Sequence, residues 1–248
     1  MSFNKSKNIL SKEDYDFFHL NSTVSTMNDV KNYLKKKYKN CVIISDTQTK
    51  GRGRRGKKWH SPKGNIYCSI SFKNFLPIQN IFLFNVLVAI SIQDTFKKFN
   101  SKKINFKWPN DLYFENKKFG GIIAETFELL QHKYVIVGFG INILNYPNLT
   151  KYKVTCAKEF SEIQNIPDFM EIFFQILFEN LKLLKKGNLD MVMQIYKKSL
   201  IFINKQIEVK MIDKSILKGQ FITINKDGSL KLKKNNDFIN IYNGTIKI

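Results

Sequence analysis

Apolar and polar positions fall into periods that change along the chain. Met27, Val30 and Leu34 recur at helical spacing, with Ser25 or Thr26 where an N-cap would stand, so the pattern predicts a helix over 28–38. CVIISD (41–46) is a continuous apolar run of strand length, and NIYCSISF (65–72) alternates, placing Ile66, Cys68, Ile70 and Phe72 on one face. The segment IQNIFLFNVLVAISIQDTFKKF (78–99) is apolar on most sides and reads as a buried helix. Four strand candidates follow, INFKW, DLYF, FGGIIAETFE and YVIVGFGINI, separated by turn signals. Two helices, DFMEIFFQILFENLKLLKK and LDMVMQIYKKSL, are parted by Gly187 and Asn188. The residues before Ser25 read only as a short polar segment.

Beyond residue 202 the texture changes to short alternating strands: QIEVKMI, ILKGQFITI, SLKLKK, FINIY and TIKI, with turns at Lys226-Asp227-Gly228 and Asn243-Gly244. Short strands at that spacing suggest a small SH3-like barrel. The expected fold class is α+β, with a mixed β-sheet and packed helices in 1–202 and a small C-terminal SH3-like β-barrel in 203–248.

Composition narrows the function classes. A chain of 248 residues, 43% hydrophobic and 14% aromatic, forms a packed core rather than a disordered binding tail. The net charge of +21 raises a nucleic-acid hypothesis, but the excess is nearly all Lys, spread from Lys5 to Lys247, as a lysine-favouring composition would leave it. Arginine is confined to one stretch, TKGRGRRGKKWH (49–60). Cys41, Cys68 and Cys156 are odd in number and without C-x-x-C spacing, which favours buried reduced thiols in a reducing compartment over a metal site. The start lacks an apolar signal core, and the run 81–92 is too short and polar-flanked to span a bilayer, so the expected location is cytoplasmic, with no membrane partner.

Three clusters carry candidate chemistry. In the glycine-arginine stretch, Gly51, Gly53 and Gly56 allow backbone N–H groups to turn around an oxyanion, while Arg52, Arg54 and Arg55 add planar, bidentate charge. The spacing is not that of a Walker loop. A following strand rather than a helix excludes the dinucleotide fingerprint that Gly51, Gly53 and Gly56 mimic. A repeated RG tail is disfavoured because the segment occurs once, between two strands. In KWPNDLYFENKKFGG (107–121), Pro109 and the Asn110-Asp111 turn join two strands, and Gly120-Gly121 opening a strand suggests close approach by a ligand. VGFGINI (137–143) adds two glycines and Asn142, a pattern that a tightly packed sheet centre explains equally well.

In this order, GRGRRGKKW, KWPNDL with its following lysine and Gly-Gly, and GFGIN resemble the biotin protein ligases. STMNDV (25–30) is similar to the segment that opens their catalytic domain. The resemblance implies a class II synthetase-like fold and ATP-dependent activation of biotin to biotinoyl-5'-AMP. The acyl group then passes to a lysine of a biotin carboxyl carrier domain of acetyl-CoA carboxylase or another biotin-dependent carboxylase. It further implies that Ser25, Thr26 and Gln48 bind the biotin ureido group and that Gly51 and Arg52 close over biotin. Arg54 and Arg55 would face the phosphates, Trp59 the adenine side, and Asn110 and Asp111 the ATP and its Mg2+, with no metal ligand directly assigned. Asn142 matches an adenine contact, and Lys118 matches the lysine at the biotin carboxyl and acyl phosphate, making Lys118 and Arg54 the expected catalytic pair. Met27 stands where many members have Asn, and Lys57 replaces a common Arg. No helix-turn-helix domain fits before Ser25, so no sequence-specific DNA binding is expected; a homodimer stays open. The rivals are a lipoate-protein ligase, which shares the fold and the acyl-adenylate logic, and a basic nucleic-acid-binding protein.

Overall fold

In the computed structural model, residues 2–147 and 152–247 are described. Strands β1 (Asp16–Leu20), β2 (Cys41–Ser45), β3 (Ile66–Lys73), β4 (Ile104–Lys107), β5 (Asp111–Phe114), β6 (Lys117–Leu129) and β7 (His132–Ile141) form one mixed sheet in the order β1-β2-β3-β7-β6-β5-β4. Only β1 and β2 pair in parallel; the other neighbours are antiparallel. Because side chains alternate along a strand, each face builds its own core. Ile66, Cys68, Ile70 and Phe72 share the larger one with helices α3 (Phe82–Lys97), α4 (Ile166–Lys185) and α5 (Leu189–Lys197). Cys41, Ile43, Tyr134 and Ile136 pack on the opposite face against Met27, Val30 and Leu34 of α2 (Thr26–Lys37).

The expected helices and strands are present, with two differences. First, the polar N-terminal segment folds: α1 (Asn4–Lys12) lies against α4, with Leu10 buried and Lys5 3.3 Å from Glu171, and β1 extends the sheet beyond β2. Second, Ile78–Lys97 is 20 residues long with a mean hydropathy of 1.2, so by length and composition alone it could cross a bilayer. Of its most apolar window, 61% is buried inside the fold. It is apolar all round because the sheet covers one side and α4 and α5 the other, and each fully buried Leu, Ile or Phe there stabilises the fold by about 1.5–3 kcal/mol.

The second sheet is antiparallel and five-stranded, where the SH3-like barrel was expected: β8 (Gln206–Lys210), β9 (Ile216–Ile224), β10 (Leu230–Lys234), β11 (Asp237–Ile241) and β12 (Thr245–Ile246), ordered β11-β10-β9-β8-β12. The predicted last strand reaches Ile248, which lies outside the described residues. Trp108, next to β4 and 1% exposed, ties the two sheets together by donating its indole N–H to the carbonyl of Gly228 at 2.9 Å. A buried neutral hydrogen bond of this kind contributes about 0.5–1.5 kcal/mol net. Trp108→Phe should therefore lower unfolding stability by about 1 kcal/mol in urea melts followed by circular dichroism; an unchanged midpoint would remove this bond from the inter-sheet contact.

Candidate active site

The glycine-arginine stretch forms a small hairpin. Gly53 N–H donates to the Lys57 carbonyl at 2.7 Å and Trp59 N–H to the Gly51 carbonyl at 2.9 Å, with a 3-10 turn at Arg54–Gly56. The expected cradle of inward N–H groups is thus partly spent on closing the loop itself, and the arginine side chains carry its charge. Arg55 sits at φ 56°, a left-handed conformation that the adjoining Gly56, at φ 71°, extends into a tight reversal. The hairpin is anchored by its tryptophan. Gly121 and Gly140 are cross-strand partners, and a Cβ on Gly140 would stand 2.4 Å from Trp59 Nε1. The indole lies on this side-chain-free patch, so the close approach that the glycines announce is made by the protein's own Trp59.

Between hairpin and sheet runs a cleft of about 950 Å³. One end mixes polar and apolar groups. Gln48 accepts from the backbone N–H of Thr26 at 3.0 Å, satisfying a free donor at the start of α2, while its own amide donates to Ser61 Oγ at 3.1 Å. Ser25, the N-cap by position, makes no capping bond and lines the cleft. Thr26 Oγ1 lies 2.7 Å from Ser69 Oγ. Met27 occupies the space that a Cβ on Gly138 would fill, 2.8 Å from its Cγ, so here the methionine and the glycine fit each other. Arg52 walls this end, donating to Asn28 Oδ1 at 3.2 Å and pairing with Glu125, which also holds Lys31 at 2.5 Å.

The other end is cationic. Lys118 Nζ lies 2.5 Å from Asp111 Oδ1 and 5.4 Å from the ring centres of both Trp59 and Tyr152. Asp111 is the sole carboxylate among the described residues that line the cleft. Arg54 is held below the usual guanidinium range, first by burial and then by Arg55, with Asp111 opposing both. Arg55 and Asn110 complete this end.

The structure therefore gathers Ser25, Thr26, Gln48, Arg52, Arg54, Arg55, Trp59, Asn110, Asp111 and Lys118 around one cavity. Two expected site residues stand elsewhere. Gly51 is buried behind the hairpin, where a Cβ would meet the Trp59 carbonyl at 2.4 Å, and does not line the cleft. Asn142 is 4% exposed and donates to the Thr155 carbonyl at 3.2 Å, bracing the segment behind the cleft rather than facing a base. Sequence reasoning assigned no role to Glu125, Lys107, Tyr113, Tyr152 or the Thr245–Ile246 strand, the last four of which line the cavity. Glu125 is one polar position in an alternating strand and carries no signal of its own. The KW that precedes PND was a signal for Lys107.

A deep polar-apolar end joined to a cationic end describes a small-molecule site that can hold two anionic groups side by side. Residues 19–142, half of the 248-residue chain, match the biotin/lipoate A/B protein ligase family. The chain belongs to that family. It is 33% identical over 109 residues to the bifunctional ligase/repressor BirA of Bacillus subtilis, covering 43% of this chain and 34% of that protein. It is 34% identical over 104 residues to BirA of Escherichia coli, covering 41% and 32%. The matches thus span about a third of these relatives' length. The biotin protein ligase of Aquifex aeolicus in complex with biotin and ATP superposes with a TM-score of 0.76 over 93% of this chain and 97% of that one, at 22% identity. At that identity the likeness is one of fold.

If the glycine patch exists to seat Trp59, Gly140→Ala should displace the indole, raise acrylamide quenching of tryptophan fluorescence and cost about 1–3 kcal/mol by overpacking. Unchanged quenching and stability would contradict that placement.

Proposed function

We propose that the chain is an ATP-dependent biotin-protein ligase, with residues 1–202 as the catalytic unit and 203–248 as a small domain beside its cleft. The observation that carries this reading is the join between the two ends of the cavity, where Lys118 stands beside Asp111. Biotin has a polar ureido head, an apolar body and a carboxylate, in the order that Ser25, Thr26 and Gln48, then Met27, Ile123 and Gly138, then Lys118 present along the cleft. ATP brings an aromatic base and a polyanion, which Trp59 and the Arg54, Arg55 and Lys118 cations complement.

In the first step a biotin carboxylate oxygen attacks the α-phosphorus. The bond from the α-phosphorus to the bridging oxygen breaks, and its electron pair leaves with pyrophosphate. Two anions must meet for this, so fixed cations lower the barrier by cancelling their repulsion and by stabilising charge on the phosphoryl oxygens. Lys118 and Arg54 stand where they can act on both. In the second step the neutral amine of an acceptor lysine attacks the acyl carbon and AMP leaves, so no residue of the chain is acylated. The acceptor proposed is a biotin carboxyl carrier domain, in the cytoplasm.

Mg2+ would accompany the triphosphate. No group of three or more His, Cys, Asp or Glu among the described residues could hold a metal by itself, and Asp111, with Asn110 beside it, offers one carboxylate to the cleft. That donor set suits an ion that keeps its waters and takes most of its ligands from phosphate. Bound there, it would supply charge neutralisation on the phosphate oxygens.

Lipoate is the rival substrate within the family. Relatives named as biotin–protein ligases include one in Arabidopsis thaliana that is 30% identical over 165 residues. The deciding assay is ATP-dependent transfer of labelled biotin, against lipoate, to a carrier domain. Biotin should be transferred and lipoate ignored; the opposite result overturns the substrate assignment. Lys118→Ala should lower adenylate formation by about a hundredfold or more while leaving the thermal midpoint within a few degrees. Near-normal pyrophosphate release would remove Lys118 from the chemistry.

A further inference from the structure

Among the described residues, Lys107 is the buried charged residue of the cleft that these roles leave unused. It ends β4, is 6% exposed, and lines the cavity. Among the described residues its side chain makes no ion pair or hydrogen bond. The ammonium instead lies over the face of Tyr113, 5.4 Å from Nζ to the ring centre. The carboxylate that could answer it, Asp111, is its register partner across the β4–β5 hairpin but is engaged at 2.5 Å by Lys118. Burial depresses the Lys107 pKa, Asp111 opposes this, and Lys118 adds to it. A largely buried ammonium that lacks a paired anion carries a penalty, which an aromatic face offsets only in part. An anion entering the cleft that Lys107 lines would supply the missing counter-charge.

The position within the cleft narrows which anion that is. Lys118, between Trp59 and Tyr152, stands at the join where carboxylate and α-phosphate meet in the proposed reaction. Lys107 lies two strands further along the sheet, next to Trp108, whose indole bonds Gly228 of the small domain and abuts Gly244, which leads into the cavity-lining Thr245–Ile246 strand. We propose that Lys107 binds the β- and γ-phosphates of ATP and stabilises the departing pyrophosphate. This rests on the adenylating reading of the site and adds a second cation with a separate duty. As the bond to the α-phosphorus breaks, the electron pair stays on the bridging oxygen, and the ammonium meets the charge that collects there; no proton needs to move.

Lys107→Met keeps the unbranched stem and removes the charge. The ligand-free variant should melt no lower than the wild type, because an unpaired buried ammonium has been replaced by an apolar group of similar shape. Its calorimetric affinity for inorganic pyrophosphate should fall about tenfold or more, while affinity for biotin stays within about twofold. Failure of the variant to fold, or a clear drop in its melting temperature, would show that the ammonium has a structural partner and overturn the proposal, as would wild-type affinity for pyrophosphate. Should the wild-type chain form no adenylate from biotin, the ligase reading falls, while the pyrophosphate comparison still decides the role of Lys107.

Discussion

A cleft lined by clustered cations must first hold them together, and here that burden falls on Asp111. Lys118, Lys107 and Arg54 converge on one end of the cavity, and each raises the electrostatic cost of the next. Asp111 is the sole carboxylate among the described lining residues. It pairs directly with Lys118 and favours the charged forms of Lys107 and Arg54. The hairpin fixes its place. Lys107 and Asp111 face each other across the turn, and the β5–β6 pairing sets Tyr113 opposite Lys118 and Asp111 opposite Gly121. Sequence, turn and register thus deliver two lysines and one acid to the same spot, and a single acid among several cations leaves net positive charge for a substrate to neutralise.

The same sheet supplies the other wall. Gly121 and Gly140, paired across β6 and β7, give Trp59 a flat seat, and through Trp59 the arginine hairpin gains a fixed base. Arg52 pins its near side to Glu125 and Asn28. All three arginines of the chain lie in this hairpin, whereas its lysines are scattered over the whole length. The planar charges are therefore concentrated at the site, and the remaining lysine surplus describes the surface more than the reaction.

Periodicity made most of the fold legible, because α2, α4 and the inner strands each bury a regular face. It failed at the N-terminus for a physical reason. The helix α1 buries only Ser6 and Leu10, and β1 is half-exposed on both sides, so neither leaves a periodic apolar trace. At the site, residue types that are costly elsewhere were readable: clustered glycines and arginines, and a lysine beside paired glycines. What was not readable was direction. Gly121 and Gly140 do announce a close approach, but the group that approaches is Trp59. Asn142 is an amide in a glycine-rich strand whose bond goes backwards to Thr155, and only the three-dimensional arrangement shows that.

The account stands or falls on Lys118 exchanging its partner when substrates arrive. A crystal structure with biotin and a non-hydrolysable ATP analogue tests this directly. Lys118 Nζ should leave Asp111 and lie within hydrogen-bond distance of the biotin carboxylate and an α-phosphate oxygen, with the ureido head at Ser25, Thr26 and Gln48. Ligands bound elsewhere, or a Lys118–Asp111 pair that persists with both substrates in the cleft, would contradict it.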